Sequence, residues 1–145
     1  MKVKGNILLL DDDQLVLMNN VDIVESAGFA TTTVVNLRQA LTVVKQRNFD
    51  LILCDHDLPD GKGVDLVNWL LHNDIDTPIV YLSAAPSNIL DDIAKFKNVH
   101  KILSKPVTEN ELIKALDECI KVSEDNYYKL ISKNEREFIL DSLNL

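Results

Sequence analysis

Cysteine is scarce in this sequence, with two among 145 residues. Cys54 and Cys119 lie too far apart to form a disulfide framework or the paired spacing of a zinc site. The three histidines are scattered as well, so the chain offers no histidine and cysteine cluster for zinc. We therefore expect both thiols to be buried and free, as in proteins of a reducing compartment.

Long hydrophobic runs and an excess of positive charge are also missing. The first apolar run, Ile7 to Leu10, is too short for a signal peptide or a membrane span. The net charge of −8 disfavours binding to nucleic acid or anionic membranes and suits a site that binds cations. We expect a cytosolic protein of about one domain. We expect no membrane association and no direct nucleic-acid binding by residues 1–122.

Short apolar segments alternate with helical patterns along the chain, without internal repeats. The predicted strands are at residues 7–10, 29–34, 51–54, 79–82 and 101–103. The predicted helices are at 14–27, from 36 onward, at 64–71, at 87–94, and after a capping box at Thr108 and Glu111. This (βα)₅ pattern predicts an α/β fold with a doubly wound parallel five-stranded sheet and helices on both faces.

Polar side chains stand at the ends of four predicted strands. Asp11 and Asp12 follow the first strand, Asp55 the third, Ser83 the fourth and Lys105 the fifth. In parallel α/β sheets, ligands bind beyond the carboxyl ends of the strands, where the strand order reverses. The sequence therefore predicts that these five side chains converge on one rim of the sheet.

Three carboxylates at one rim need a cation, because neighbouring like charges disfavour ionisation. Carboxylate and carbonyl oxygens suit Mg²⁺. Mg²⁺ beside a lysine, a hydroxyl and a carboxylate is the equipment of phosphoryl transfer, and carboxylates form aspartyl phosphates. Asp55 is the best candidate nucleophile, since it ends the central apolar strand.

Four segments in chain order resemble the receiver domain of two-component response regulators: ILLLDDD, LILCDHDLPDGKG, IVYLSA and ILSKPV. Each motif is weak alone, but four in this order are specific. The likeness covers residues 5 to about 122, and it implies a flavodoxin-like receiver fold. It also implies that Asp55 is the phosphoacceptor. Asp11, Asp12 and Asp55 would hold Mg²⁺ together with the backbone carbonyl of Asp57.

The same resemblance implies roles for the later motifs. Ser83 would hydrogen-bond the phosphoryl group, and Lys105 would pair with its oxygens next to a cis bond to Pro106. Ala84 would leave room for a phosphodonor, and Gly63 would supply a permissive backbone before the third helix. Catalysis would be limited to the domain's own phosphorylation and dephosphorylation, so the chain would be a switch and not an enzyme.

Two positions depart from the family pattern or vary within it. Ile102 stands where the family often has an aromatic residue, which excludes an aromatic rotamer switch at that position. Asp57 and Ala85 are expected to face the phosphoryl group and to affect how water reaches it. Asp13 is predicted to cap the first helix. His56 could bias the site electrostatically near neutral pH, but a loop histidine without that role is the simpler interpretation.

The predicted function is acceptance of a phosphoryl group on Asp55 from a sensor histidine kinase or a phosphotransfer protein. The reaction would require Mg²⁺ and would switch the conformation to control an output, with transcription as one candidate. The alternative is a phosphatase of the haloacid dehalogenase type with Asp55 as nucleophile and Asp57 as acid and base. Pro59 departs from that pattern, and the chain lacks room for the usual cap. An FMN module is less favoured, because the acidic cluster would repel the phosphate of the flavin. A pseudo-receiver that serves only for docking is less favoured, because the set of acidic residues and the lysine is complete.

Residues 1–122 are predicted to be the receiver domain and 123–145 a helical extension or a linker to an output domain. The extension has a second capping box at Ser132 and Glu135, and its string ISKNEREFIL resembles the opening of helix-turn-helix output domains. It is predicted to pack on the domain, form a homodimer or begin a linker. The sequence leaves these three open, and it leaves open whether the chain is part of a longer regulator.

Overall fold

The computed structural model describes residues 3–120. The strands are β1 (Asn6–Leu10), β2 (Ala30–Val34), β3 (Leu51–Asp55), β4 (Asp57–Leu58), β5 (Gly61–Lys62), β6 (Ile79–Ser83) and β7 (Val99–Ser104). The helices are α1 (Gln14–Ser26), α2 (Leu37–Gln46), α3 (Gly63–His72), α4 (Ser87–Ile93) and α5, which is helical from 109 to 120. The predicted capping box at Ser132 and Glu135 lies outside the described residues.

Five parallel strands form the central sheet in the order β2-β1-β3-β6-β7. This order confirms the predicted doubly wound sheet. The chain runs outward from β1 to β2 and then returns to β3 on the other side of β1. The order therefore reverses between β1 and β3, which is where such a sheet binds its ligands.

Alternate residues of the central strands enter two apolar layers. Leu9, Leu53 and Val80 belong to the layer under α1 and α5. Leu8, Ile52 and Tyr81 belong to the layer under α2, α3 and α4. Both layers are closed to solvent, and each fully buried aliphatic side chain contributes about 1.5–3 kcal/mol. The apolar layers thus fix the register that aligns the strand ends.

The ends of the helices follow local sequence signals. The carboxylate of Asp13 accepts hydrogen bonds from the backbone N–H groups of residues 15 and 16, so its predicted capping role is confirmed. Thr108 and Glu111 bond each other's backbone N–H groups in the predicted capping box. Gly28 follows α1 with φ of +101°, a conformation that favours glycine. These caps fix where the chain leaves each helix.

Two features differ from the sequence prediction. Strand β7 begins at Val99, two residues earlier than predicted, and its pairing with β6 has a register shift near that end. A short antiparallel hairpin, β4 and β5, was not predicted between β3 and α3.

Cys54 and Cys119 are both buried and free, as expected. Within residues 3–120, no helix combines the length and the hydropathy that a membrane span requires.

Candidate functional site

The register of the sheet brings the acidic residues together. Leu10 pairs with Cys54, so the residues that follow them, Asp11 and Asp55, emerge side by side. One carboxylate oxygen each from Asp11, Asp12 and Asp55 lies within 4.8 Å of the others. Asp11 and Asp55 are buried, whereas Asp12 is exposed. The predicted convergence of the three carboxylates is therefore present in the structure.

The turn after β1 orients the Asp11 side chain. The backbone N–H of Asp11 donates to the carbonyl oxygen of Val34 at 3.2 Å. Its Oδ1 accepts a hydrogen bond from the backbone N–H of Asp13 at 2.9 Å. The second oxygen, Oδ2, lies 3.5 Å from Nζ of Lys105. The carboxylate is thus held by backbone on one side and faces charged groups on the other.

Lys105 reaches the same rim from the edge strand β7. Its backbone N–H donates to the carbonyl oxygen of Ser83 at 2.9 Å. Its Nζ lies 2.6 Å from Oδ1 of Asp55, a short charge-assisted hydrogen bond. The bond between Lys105 and Pro106 is cis, as predicted. A residue 50 positions along the chain from Asp55 is therefore its direct ionic partner.

The protonation equilibria reflect burial and charge together. Burial raises the pKa of Asp55; the hydrogen bond from Lys105 opposes this rise without cancelling it, and the charge of Asp11 adds to it. Burial by itself would lower the pKa of Lys105, but its hydrogen bond to Asp55 and the charges of Asp55 and Asp11 outweigh burial and raise it. A cation beside Asp55 would favour its ionised form.

Ser83 ends β6 next to β3, because Leu82 pairs with Asp55. Its side chain is buried, and its Oγ accepts a hydrogen bond from the backbone N–H of Ala85 at 2.8 Å. Ser83 therefore occupies the predicted rim between the strands that carry Asp55 and Lys105.

The carboxylate of Asp57 is occupied by a neighbour. Asp57 begins the β4–β5 hairpin, and its exposed side chain forms an ion pair with Lys62 across that hairpin. The hydrogen bond from Lys62 lowers the pKa of Asp57. Sequence reasoning expected the Asp57 side chain to face a phosphoryl group but missed Lys62. In the structure, that side chain is paired with Lys62.

Gly63 is required for space and not for backbone freedom. The φ angle of Gly63 is not in the left-handed region. Among residues 3–120, Gly28 is the glycine with a positive φ. A Cβ at Gly63 would overlap the carbonyl oxygen of Asp55 and would lie 2.9 Å from Sγ of Cys54. The predicted need for glycine is met, but the predicted reason was wrong, because the start of α3 lies directly against the end of β3.

A buried polar pair beneath the site was not predicted from the sequence. Nδ1 of His56 lies 2.6 Å from the hydroxyl oxygen of Tyr81, and both side chains are buried. His56 lies in the bend that follows β3, as predicted for a loop histidine, but its burial and its bond to Tyr81 were not expected. The available signal was a tyrosine in an aliphatic strand, since a buried hydroxyl needs a partner.

The three converging carboxylates fit Mg²⁺ by their chemistry. Mg²⁺ takes oxygen ligands, uses few protein side chains and retains waters. Asp11, Asp12 and Asp55 offer only oxygens, and the exposed position of Asp12 leaves room for water on one side. Among residues 3–120, this is the group of acidic, histidine or cysteine side chains close enough together to hold a metal ion.

Two regulatory proteins are among the relatives of this chain. MtrA of Mycolicibacterium smegmatis, a DNA-binding response regulator, is 27% identical over 135 residues, covering 93% of this chain and 59% of that protein. CtrA of Caulobacter vibrioides, a cell cycle transcriptional regulator, is 27% identical over 137 residues, covering 94% of this chain and 59% of that protein. The chain thus spans 59% of the length of these relatives.

Solved structures give the same fold. The receiver domain of the Francisella response regulator 1452 has a TM-score of 0.75 at 26% identity, covering 83% of this chain and 99% of that one. Chemotaxis response regulator CheY4 of Vibrio cholerae has a TM-score of 0.73 at 23% identity, covering 82% and 99% respectively. The family model described as the response regulator receiver domain matches residues 7–117. This chain therefore belongs to the response regulator receiver domain family.

Proposed function

We propose that this chain accepts a phosphoryl group on Asp55 in a Mg²⁺-dependent reaction. The observation that carries the proposal is the arrangement of Asp55, whose carboxylate lies 2.6 Å from the ammonium of Lys105 and within 4.8 Å of the carboxylates of Asp11 and Asp12. A candidate nucleophile, a candidate cation site and a positive charge thus lie together. This is the combination that phosphoryl transfer requires.

In the proposed step, a carboxylate oxygen of Asp55 attacks the phosphorus atom of a phosphohistidine. A P–O bond forms to Asp55, and the P–N bond to the donor imidazole breaks. Lys105 neutralises phosphoryl oxygens as they approach, and Ser83 supplies a hydroxyl at the same rim. The three carboxylates and the backbone carbonyl of Asp57 would hold Mg²⁺. When bound, the ion would further neutralise the phosphoryl oxygens.

A sensor histidine kinase or a phosphotransfer protein is the proposed donor. An open groove of about 570 Å³ adjoins Lys105, and its walls include Leu15, Val16, Pro106 and Val107. Leu15 is 81% exposed, which is unusual for a large apolar side chain. Such an apolar surface beside the phosphoacceptor supports docking of a protein donor in preference to a free small molecule.

The proposed result of phosphorylation is a change in conformation that controls an output. Because Ile102 replaces the family's frequent aromatic residue, the change must use backbone shifts or another side chain. The similarity to MtrA, a DNA-binding response regulator, and CtrA, a transcriptional regulator, supports transcription as the output. We propose residues 1–122 as the receiver domain and 123–145 as an extension that packs on it, forms a homodimer or leads to an output domain. The two free buried thiols support a cytoplasmic location.

Labelling tests the proposal directly. Incubation with a small acyl phosphate and Mg²⁺, or with a phosphorylated histidine kinase, should add one phosphoryl group that hydroxylamine removes. Asp55→Asn should abolish this label, whereas Asp57→Asn should retain it. Strong labelling of Asp55→Asn would place the nucleophile elsewhere. Continued hydrolysis of phosphate esters would favour a phosphatase.

A further inference from the structure

Tyr81 carries a hydroxyl into the interior of the domain. It lies in β6 between Cys54 of β3 and Ile102 of β7, and its side chain is fully buried. Its neighbours in this layer are mainly aliphatic, so a phenylalanine would satisfy the packing alone. A buried phenolic hydroxyl has to find hydrogen-bond partners, and the identity of those partners indicates its role.

The groups that surround this hydroxyl come from both ends of the loop that joins β3 to α3. Nδ1 of His56, the residue after Asp55, lies 2.6 Å from the Tyr81 oxygen, and the two rings meet edge to face. At the other end of the loop, a Cβ on Gly63 would lie 3.0 Å from the same oxygen. The hydroxyl thus sits between the first and last residues of the loop.

Backbone hydrogen bonds also join the two ends of the loop between β3 and α3. The N–H of His56 donates to the carbonyl oxygen of Leu82 at 3.0 Å, and the N–H of Gly63 donates to the carbonyl oxygen of His56 at 2.8 Å. Between these two bonds lie the β4–β5 hairpin and Asp57. Asp57 directly follows His56, so a shift of His56 would move both Asp57 and Asp55.

Burial raises the pKa of Tyr81, which keeps the phenol protonated and able to donate. Its proton is available to Nδ1 of His56, 2.6 Å away, when that imidazole carries its own proton on Nε2. This bond connects β6, where the hydroxyl lies against Gly63 at the start of α3, to the residue beside the phosphoacceptor.

We propose that the Tyr81 hydroxyl is a positioning group for the site. Through its hydrogen bond to His56 and its close approach to Gly63, it holds the loop after β3 in the conformation that presents the backbone carbonyl of Asp57 to the cation. The inference rests on the proposed function, because the carbonyl matters only if Mg²⁺ binds beside Asp55. The competing explanation is a core tyrosine whose hydrogen bonds contribute to stability alone.

The test compares Tyr81→Phe, which removes only the hydroxyl, with Val80→Ala. Val80 is a fully buried neighbour in β6 that faces the other apolar layer, so its truncation destabilises the fold without touching the loop. Tyr81→Phe should weaken Mg²⁺ binding about tenfold, the usual size of an outer-shell effect, and slow labelling of Asp55. It should also speed hydrogen exchange of the Gly63 amide, which donates to the carbonyl oxygen of His56. Val80→Ala should leave the Mg²⁺ dissociation constant and the labelling rate at the wild-type values.

A second pair of variants keeps the test decisive if Tyr81→Phe is unstable. His56→Asn retains an acceptor near the Nδ1 position and should preserve Mg²⁺ affinity better than His56→Leu, which removes it. Unchanged Mg²⁺ affinity in both Tyr81→Phe and His56→Leu would overturn the inference. Failure of the wild-type protein to label at Asp55 would instead overturn the proposed function, while the Mg²⁺ titrations and amide exchange would still report on Tyr81.

Discussion

The two ends of the parallel strands use their polar side chains differently. The strand starts form the amino edge of the central sheet, and the strand ends form its carboxyl edge, which is the rim that holds the site. At the amino edge, Oδ2 of Asp50 accepts a hydrogen bond from the backbone N–H of Asn6 at 2.7 Å. The side-chain Nδ2 of buried Asn98 donates to the carbonyl oxygen of Val67 at 3.3 Å. Each of these side chains bonds to backbone and so connects the start of a strand to a neighbouring element.

At the carboxyl edge, the charged groups interact mainly with one another. Lys105 contacts the carboxylates of both Asp11 and Asp55, and the two buried aspartates lie close together. One ammonium faces two buried carboxylates, with Asp12 beside them. Polar groups that serve folding bond to backbone, whereas this edge retains excess negative charge that a bound cation would neutralise.

Removing Lys105 should produce the largest effect on this difference. Lys105→Ala should slow labelling of Asp55 about a hundredfold, the size expected when one fixed donor to a transferring group is lost. Lys105→Arg should restore little, because a planar guanidinium cannot replace a compact ammonium at this position. The measurement is the rate of mass increase with an acyl phosphate and Mg²⁺.

Lys62→Ala provides the matched control for that variant. Lys62 is a lysine near the same edge, but it pairs with Asp57 on the exposed hairpin. Its loss should change the labelling rate much less than the loss of Lys105. Equal rates for the two variants would contradict the distinction drawn here between the two lysines.

Mg²⁺ should stabilise the protein through the carboxyl edge alone. At about 100 times its dissociation constant, binding should raise the free energy of unfolding by roughly 2.7 kcal/mol. Asp12→Asn should reduce this gain because it removes one carboxylate of the cluster, whereas Asp50→Asn at the amino edge should retain it. Thermal melts with Mg²⁺ and with sodium chloride of equal ionic strength check this prediction. An equal loss of the gain in both variants would count against a specific site.

Asp60 should give the smallest effect, although it lies in the loop at the carboxyl edge. Its carboxylate accepts the backbone N–H groups of Leu37 and Arg38 at 2.8 and 3.0 Å, and these bonds lower the pKa of Asp60. A carboxyl group with a lowered pKa stabilises the fold above its unfolded pKa of about 3.9 and loses this contribution as the pH falls further.

Asp60→Asn should therefore be less stable than the wild type at pH 7, and the difference should shrink below pH 4. Chemical unfolding at several pH values measures the difference. Labelling at Asp55 should be unaffected, because Asp60 bonds to the backbone of α2 as Asp50 bonds to that of β1. A difference in stability that persists unchanged below pH 3 would contradict this explanation.

The sheet and its rim could be predicted because the signals are local. Five apolar runs define the strands, and each of Asp11, Asp55, Ser83 and Lys105 directly follows one or lies close to its end. The parallel arrangement then brings these strand ends together. The caps at Asp13 and at Thr108 were likewise encoded within a few residues.

The remaining features depend on contacts that no local pattern encodes. The β4–β5 hairpin has two-residue strands, which are too short to show a period. Tyr81 and His56 are 25 positions apart, and each is unremarkable in its own segment. Asp60 caps α2 across a similar separation. The need for glycine at position 63 arises from the approach of β3, which becomes visible only in the folded chain.

The most direct test of the central claim is the response of backbone amides to beryllofluoride, which stands in for a phosphoryl group on Asp55. With Mg²⁺, its addition should shift the amide resonances of Ser83, Ala84 and Lys105 at the carboxyl edge. The amides of Asn6 and Asn98 at the amino edge should stay in place, and Asp55→Asn should not respond. No shift in the wild type, or equal shifts at both edges, would contradict the account.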